Sequence, residues 1–170
     1  GVAVALHVGD AVYKNDVVQT GADSSAGIGF ADGTALNLVA NTRMALNDYV
    51  YDPNGSSNVA LFNLVQGGFA FVAGKVAHTG DMKIGTPVAT MGIRGTTGYA
   101  LENVATVSAN LGNVTMSFAV VADPGTDRVG QYDLIDQFGN VVAVVGRAGV
   151  WTNVSSQGLN QPLSISTQQM

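Results

Sequence analysis

The fold is decided by residues 28–46, which read IGFADGTALNLVANTRMAL. Apolar side chains recur there in pairs every eight residues, and the members of a pair are two positions apart, as one face of a β-strand requires. The pairs are Ile28 with Phe30, Leu36 with Leu38, and Met44 with Leu46. Turn-forming residues separate the pairs, at 31–33 and at 39–41. The segment therefore predicts three short strands joined by tight turns.

Two kinds of connection are possible at the first of these turns. A two-residue Asp32-Gly33 hairpin would set Phe30 opposite Ala35 and move Leu36 to the other face. Phe30 and Leu36 share a face only if the connection has an odd length, with a bulge or a β-arc. We expect the odd-length connection. It fits a tight meander or, in our preferred form, a β-solenoid whose strands turn corners.

The rest of the chain has the same texture of short β-like runs punctuated by Gly, Asn and Asp. No stretch shows the apolar spacing of an amphipathic helix. The sequence predicts an all-β fold, with a short-strand solenoid-like or meander core and an appended β-hairpin lobe. Further strands are predicted at residues 2–8, 17–20, 58–65, 68–72, 113–122, 128–135, 141–145 and 149–153, with polar turns at 52–57, 123–127 and 137–140.

The composition excludes some classes of function. The seven Lys and Arg residues against twelve Asp and Glu give a net charge of -5, which argues against a nucleic-acid partner. Charged residues make up 11% of the 170 residues, well below the roughly 25% of soluble globular proteins. We expect a surface covered either by Thr, Ser, Asn and Gln or by other protein, and the second option favours oligomers. No run approaches the ~18 apolar residues of a membrane helix, so we expect no membrane insertion. Because the chain begins at Gly1, we expect a fragment or a processed form.

Few residues suggest chemistry. His7 and His78 each stand alone among apolar or small residues, without the spacing of a metal pair, and we interpret them as partly exposed strand residues. Two carboxylate pairs could act as acid and base. Both pairs lie beside predicted turns, where Asp is expected to cap backbone groups. The pairs are Asp123 with Asp127, and Asp133 with Asp136.

The oxygen-rich segment with Asp48, Asp52 and Asn54 could attract calcium. It lacks the spacing of an EF-hand, and we interpret it as an ordinary Asx turn. Gly67-Gly68 is interpreted as a hairpin turn, because no helix or Lys follows where a phosphate loop needs them. The chain has no cysteine and no Gly-x-Ser-x-Gly motif. We therefore expect no catalytic, cofactor-binding or metal-binding residue, and no enzyme.

Six motifs follow one another in the first part of the chain. The motifs are Val8-Gly9-Asp10-Ala11-Val12, Asp16-Val17-Val18-Gln19-Thr20-Gly21, Phe30-Ala31-Asp32-Gly33-Thr34, Tyr49-Val50-Tyr51-Asp52-Pro53, Gly67-Gly68-Phe69-Ala70-Phe71-Val72-Ala73-Gly74-Lys75 and Thr86-Pro87-Val88-Ala89-Thr90-Met91-Gly92-Ile93-Arg94-Gly95-Thr96. Together they resemble the FecR-like domain, a bacterial extracytoplasmic β-module, over about residues 6–98.

The last motif carries four expectations of its own. Thr86-Pro87 would start a strand, at a position where proline is allowed. Met91 and Ile93 would face one way, and the backbone would bend near Gly95. We interpret Arg94 as a structural clamp on carboxylate or carbonyl oxygens beneath that bend, in preference to an anion-binding residue.

The resemblance also implies a division of the chain. Residues 1–98 would form the FecR-like β-domain, and residues 99–154 a β-hairpin extension packed on it. Residues 155–170, which are polar and rich in Gln and Ser, would form a tail or a strand that needs a partner. We expect the boundary near residue 98 to separate lobes and not independent domains, because no linker is visible.

The resemblance implies a location outside the cytoplasm, secreted or at the cell surface, or alternatively in the periplasm. Our main hypothesis is a non-catalytic structural or interaction module that self-associates through strand edges, as a fibre or assembly subunit. The apolar residues 2–6 would pair with a neighbour's sheet. Its partners would be copies of itself, in a homo-oligomer or filament, or neighbouring domains of a surface protein. The alternative is a periplasmic signal-relay or ligand-sensing domain of a FecR-type regulator, after the family's founding member.

Overall fold

The structure is a computed structural model that describes residues 3–102, 114–156 and 164–169. The described residues form fourteen β-strands and one short helix, which confirms the all-β class. The elements in chain order are β1 Val17–Gln19, β2 Ala26–Gly29, β3 Ala35–Leu38, β4 Arg43–Val50, β5 Asn58–Gln66, β6 Gly68–Val72, α1 Val76–Thr79, β7 Gly80–Gly85, β8 Thr90–Ile93, β9 Thr97–Glu102, β10 Val114–Val121, β11 Tyr132–Ile135, β12 Val141–Val145, β13 Val150–Ser156 and β14 Ser164–Gln169.

The strands form two sheets of seven strands each. The first sheet has the order β1-β4-β5-β7-β8-β11-β12, and the second has the order β14-β13-β10-β9-β6-β3-β2. Neighbouring strands of the described chain are antiparallel in every pair except β5 with β7. A β-solenoid stacks its strands in parallel coils. The preference for a solenoid-like core is therefore not confirmed.

The connection between β2 and β3 has the predicted odd length. Phe30 N donates a hydrogen bond to Thr34 O at 2.9 Å, and Gly33 N donates to Phe30 O at 3.1 Å. The loop therefore contains three residues, and Gly33 takes the left-handed conformation that such a loop needs, with φ of 92°. Ile28 lies opposite Leu36, and both are buried.

The next turn of the eight-residue pattern carries the chain from one sheet to the other. β3 belongs to the second sheet and β4 to the first. Thr20 Oγ1 donates to Val39 O at 2.6 Å and accepts a hydrogen bond from Thr42 N at 2.9 Å, which holds this crossing together. The pattern therefore contains one hairpin and one crossing between sheets.

The Gly67-Gly68 turn is a second crossing, so the hairpin prediction is wrong. β5 lies in the first sheet and β6 in the second, and the two strands do not pair. Thr42 Oγ1 donates to Gly68 O at 3.0 Å, and Gly68 N donates to Thr42 Oγ1 at 3.1 Å. The side chain of Thr42 therefore joins the two crossings.

The strand predicted at residues 2–8 is wrong over residues 3–8, which have no regular structure, while residue 2 lies outside the described residues. No strand of the described chain pairs with this segment. An exposed turn follows, in which Asp10 N donates to His7 O at 3.0 Å. As a result Val4, Leu6 and Val8 are exposed.

Pro87 lies in the loop between β7 and β8, so the prediction of a strand start at Thr86 is wrong. Thr86 Oγ1 donates to Ala89 O at 2.6 Å and accepts from Ala89 N at 3.1 Å, and these bonds close the loop. The strand begins at Thr90. Met91 and Ile93 then point into the core together, as the alternation predicts.

The second half of the chain follows most of the predicted strands. β10 buries Met116, Phe118 and Val120, and β12 and β13 lie where the sequence places them. The strand predicted at 128–135 is shorter, because only an isolated bridge at Val129 precedes β11. β14 is the pairing strand allowed for in the polar C-terminal segment, with Trp151 opposite Gln168.

One core lies between the two sheets. Its largest fully buried side chain is Tyr132 on β11, whose ring meets that of Phe71 on β6 with centroids 5.6 Å apart. Strands from both sides of residue 98 contribute to both sheets. The boundary at residue 98 and the β-hairpin extension at 99–154 remain a proposal.

Candidate partner-binding groove

Neither histidine lies in a strand. His7 belongs to the exposed turn, where its Nδ1 lies 3.5 Å from Asp10 Oδ2. His78 is exposed in α1, and its imidazole occupies the space that a side chain at Gly95 would need. The interpretation of both as strand residues is therefore wrong. The predicted bend at Gly95 is present, with φ of 123°.

One carboxylate of the two possible acid–base pairs caps a turn. Asp136 Oδ1 accepts hydrogen bonds at 2.9 Å from the backbone N of Asn140 and of Phe138. The bond from Asn140 is the largest of several influences that hold the pKa of Asp136 below its ordinary value. Asp123 Oδ1 accepts from Thr97 Oγ1 at 2.9 Å. The turn-capping interpretation is confirmed for Asp136. Of the two residues that complete the pairs, Asp133 lies on β11 and Asp127 is exposed.

The possible calcium ligands are engaged separately. Asp48 Oδ1 lies 3.0 Å from Lys14 Nζ, whereas Asp52 Oδ1 accepts a hydrogen bond from Asn54 N at 2.9 Å. The Asx turn is therefore confirmed. In residues 3–102, 114–156 and 164–169, no three His, Asp or Glu side chains come together in a group that could hold a metal ion.

Arg94 does not act as a clamp. Its side chain is exposed and makes no hydrogen bond or ion pair with the part of the chain that the structure describes. The clamp interpretation is therefore wrong. Hydrogen bonds between Thr side chains and the backbone hold this part of the chain instead, as at Thr86.

A buried carboxylate in the Phe30–Thr34 motif does hold distant segments together. Asp32 is 3% exposed, and its two oxygens accept four hydrogen bonds. The donors are Thr34 Oγ1 at 2.7 Å, Thr34 N at 3.1 Å, Val76 N at 3.0 Å and Tyr49 Oη at 2.9 Å. We call Asp32 and the three residues that donate to it, Thr34, Tyr49 and Val76, the Asp32 clasp. It joins the β2–β3 turn to β4 and to the first residue of α1.

The electrostatics of the clasp favour a fixed structural role. Burial raises the pKa of Asp32, but the hydrogen bonds from Thr34, Val76 and Tyr49 outweigh it and hold that pKa below its ordinary value. Burial, together with the bond to Asp32, raises the pKa of Tyr49 to about 12. At neutral pH the carboxylate is charged and the phenol protonated. Because its hydrogen bonds all come from its own chain, Asp32 is not positioned to take up a ligand.

A groove opens beside the clasp. It has a volume of about 560 Å³, which is within the range of ligand sites. Residues 6–12 form one wall, residues 25–31 form the other, and Tyr49 lies at the base. Val12 is partly buried against the core and anchors the first wall. We call this the β2 groove, because β2 runs along it.

Sequence analysis missed the β2 groove because its first wall is the segment predicted as a strand. One signal was present. Residues 25–30 read SAGIGF, an uncharged run in which glycine alternates with larger residues. Such a strand lacks the charges that usually protect the edge of a sheet.

The described residues also include no helix with the length and hydrophobicity of a membrane span.

Comparison with known proteins gives a family and a fold. The family model of the FecR protein matches residues 16–127. The match confirms the resemblance found in the sequence, although it begins later than expected and runs on through β10 to the turn after it. No curated protein matches the sequence.

Two crystal structures share the fold. Both are of a "putative anti-sigma factor" from Parabacteroides distasonis ATCC 8503, with a TM-score of 0.57 and 13% sequence identity. The similarity covers 91% of this chain and 60% of that chain, so this chain spans about three-fifths of the relative's length. At this identity the likeness shows a common fold and carries no function by itself.

Proposed function

The chain belongs to the FecR protein family, and from this premise we propose that it is the extracytoplasmic domain of a FecR-type regulator. In this role it binds a partner protein outside the cytoplasm and relays the event through the rest of a longer regulator. The family match over residues 16–127 is the observation that carries the proposal. The common fold with a protein named as an anti-sigma factor supports the same direction.

Binding without catalysis fits the chemistry of the conspicuous side chains. The carboxylates of Asp32, Asp52 and Asp136 accept hydrogen bonds from their own chain. An acid–base catalyst needs a group that can reach a substrate proton. The β2 groove offers apolar walls and backbone groups instead, which suit recognition of a polypeptide.

The self-associating fibre subunit finds no support in the comparisons, which point to the FecR protein family. It rested on residues 2–6 pairing as a strand with a neighbouring copy, and residues 3–8 form no strand within their own chain. We therefore favour the regulator. Within the extracytoplasmic location we propose the periplasm and not the cell surface, because a relay to the cytoplasm begins there.

The test is made in the parent gene, in the bacterium that carries it. Gly67→Ala destabilises the domain for steric reasons given below, whereas Gly139→Ala changes an open turn and serves as the matched control. We expect the Gly67→Ala strain to change the transcript level of a restricted set of genes and the control strain to match the wild type. Identical transcript profiles in all three strains would contradict a regulatory role.

A second measurement checks the location. An epitope is inserted in the exposed turn at Gly139, where an added side chain would meet no heavy atom within 4 Å. We expect to recover the epitope in the periplasmic fraction or in the cell-envelope fraction. Recovery of the epitope in the cytoplasmic fraction would contradict the proposed location.

A further inference from the structure

β2 is an edge strand whose outer backbone groups have no partner. It pairs with β3 alone, with Ile28 opposite Leu36 and Gly27 opposite Asn37. The Phe30 N to Thr34 O hydrogen bond fixes the phase of this antiparallel ladder. Backbone groups alternate in direction along such a strand. Those of Ile28 therefore point to β3, and those of Gly27 and Gly29 point away from it.

The outward groups of Gly27 and Gly29 face the β2 groove. Both residues line it, both are exposed, and their N–H groups make no hydrogen bond within the described residues. Two free N–H groups and two free carbonyls at regular spacing are what another strand pairs with. The groove is thus open to main-chain hydrogen bonding along one of its walls.

The side chains of the groove select for an uncharged occupant. The first wall includes Leu6, Val8 and Val12, and the second wall includes Ile28 and Phe30. The lining contains one carboxylate and one imidazole, those of Asp10 and His7, and these lie against each other across 3.5 Å. The hydroxyl of Tyr49 at the base is engaged by the Asp32 clasp. Asp10 Oδ2 also accepts a hydrogen bond from His7 N at 2.8 Å, so the one carboxylate in the lining is engaged by its own turn, and the rest of the lining favours apolar contact over ionic pairing.

We propose that the β2 groove binds an uncharged, extended segment of the partner protein, which adds to the second sheet as a strand beside β2. The four residues of β2 give the paired stretch a length of about 13 Å, at about 3.3 Å per residue. Backbone bonds to Gly27 and Gly29 supply the pairing, and apolar contacts with the groove walls supply the selectivity. The inference rests on the proposed function, since it names the kind of segment that the regulator's partner presents.

Gly29 allows a test that changes one backbone group. A side chain at Gly29 would meet no heavy atom within 4 Å, so substitution there is sterically free. Gly29→Pro removes the outward N–H and leaves the β2–β3 ladder intact, because proline is tolerated on an edge strand. Gly29→Ala adds a carbon but keeps the N–H, and is the matched control.

The probes are nonapeptides selected from a displayed random library against the full 170-residue chain. Their affinities for the wild type and both variants are measured by isothermal titration calorimetry. We expect the selected peptides to be uncharged and rich in β-branched residues. Gly29→Pro should weaken their binding at least tenfold and Gly29→Ala less than twofold. Equal binding to all three proteins, or failure of the library to yield a binder, would overturn the proposal.

Amide hydrogen exchange on the wild type gives a readout that does not depend on the proline variant folding. Peptide binding should slow exchange at Gly27 and Gly29 and leave Ile28, which already faces β3, unchanged. Protection elsewhere with none at these two glycines would also overturn the proposal. The function and this inference can fail separately, because transcript profiles report regulation whereas exchange and calorimetry report strand addition.

Discussion

The Asp32 carboxylate holds three segments that are far apart in the sequence. Asp32 and Thr34 belong to the β2–β3 turn, Tyr49 to β4 and Val76 to α1. The sequence identifies Asp32-Gly33 as a turn and as part of a family motif, but it assigns the carboxylate no partner beyond its own loop. Only the approach of β4 and α1 in space shows that this residue organises structure and is not a ligand.

We expect Asp32→Ala to lower the free energy of unfolding by about 2–4 kcal/mol, since several buried donors would lose their acceptor at about 1–3 kcal/mol for an unsatisfied group. Urea denaturation measures this change. Asp127→Ala, at an exposed position on the turn after β10, is the control and should stay within about 0.5 kcal/mol of the wild type. A loss at Asp32 no larger than that of the control would show that the clasp does not stabilise the fold.

The same carboxylate gives a pH dependence. Its folded-state pKa lies below the unfolded value of about 3.9, so its contribution to stability is present above that pH and is lost as pH falls through the folded-state pKa. We expect the stability difference between wild type and Asp32→Asn to be constant above about pH 4 and to shrink below it. Urea titrations between about pH 2 and pH 7 measure the difference in the free energy of unfolding. The lowered pKa of Asp136 affects both proteins equally, so its contribution cancels in that difference. A difference that grows as the pH falls would contradict the assignment.

At the level of elements, the crossings between the sheets matter more than the hairpins. Local alternation correctly predicts the large buried side chains of β2, β3 and β10, although Ala119 on β10 is buried as well. It does not distinguish a hairpin from a crossing, because both need a short turn with glycine or polar residues. At Gly67 the crossing is held by Thr42, which is remote in the sequence. Its side chain makes hydrogen bonds with both the N–H and the carbonyl of Gly68.

Gly67→Ala should destabilise the protein more than backbone strain alone requires. A side chain at Gly67 would place its first carbon 2.6 Å from Thr42 Cα and 2.8 Å from Asn41 O, with φ at 88°. Gly139 has a similar φ of 85° but open space around it, so Gly139→Ala isolates the conformational cost. We expect losses of about 1 kcal/mol at Gly139 and of at least about 3 kcal/mol at Gly67, measured by thermal unfolding. Equal losses would mean that the crossing can move aside.

On the scale of the whole molecule, Tyr132 connects the two sheets. It extends from β11 in the first sheet, and its hydroxyl donates to Tyr99 O or Ala119 O of the second sheet, each at 3.2 Å. Burial raises the pKa of this phenol. A strand from the last third of the chain therefore completes a core begun by strands from the first third.

Tyr132→Phe keeps the ring and removes the hydroxyl. We expect a loss of about 1 kcal/mol, because the carbonyl that accepts from the buried hydroxyl would lose this donor. Tyr13→Phe, at a tyrosine that is 68% exposed, is the control and should be neutral. Urea denaturation of both variants tests the expectation, and an unchanged Tyr132→Phe would show that the hydroxyl adds nothing to sheet pairing.

The sequence by itself determined the all-β class, the strands with period-two burial, the odd-length β2–β3 loop and the family. These follow from local spacing and from residues that are neighbours in the chain. The tertiary structure decided which sheet each strand joins, that residues 3–8 stay unpaired, and that Asp32 meets Tyr49 and Val76. Alternation fixes only the face that a side chain occupies. The partner on that face, and the β2 groove beside it, depend on segments that meet only when the two sheets pack.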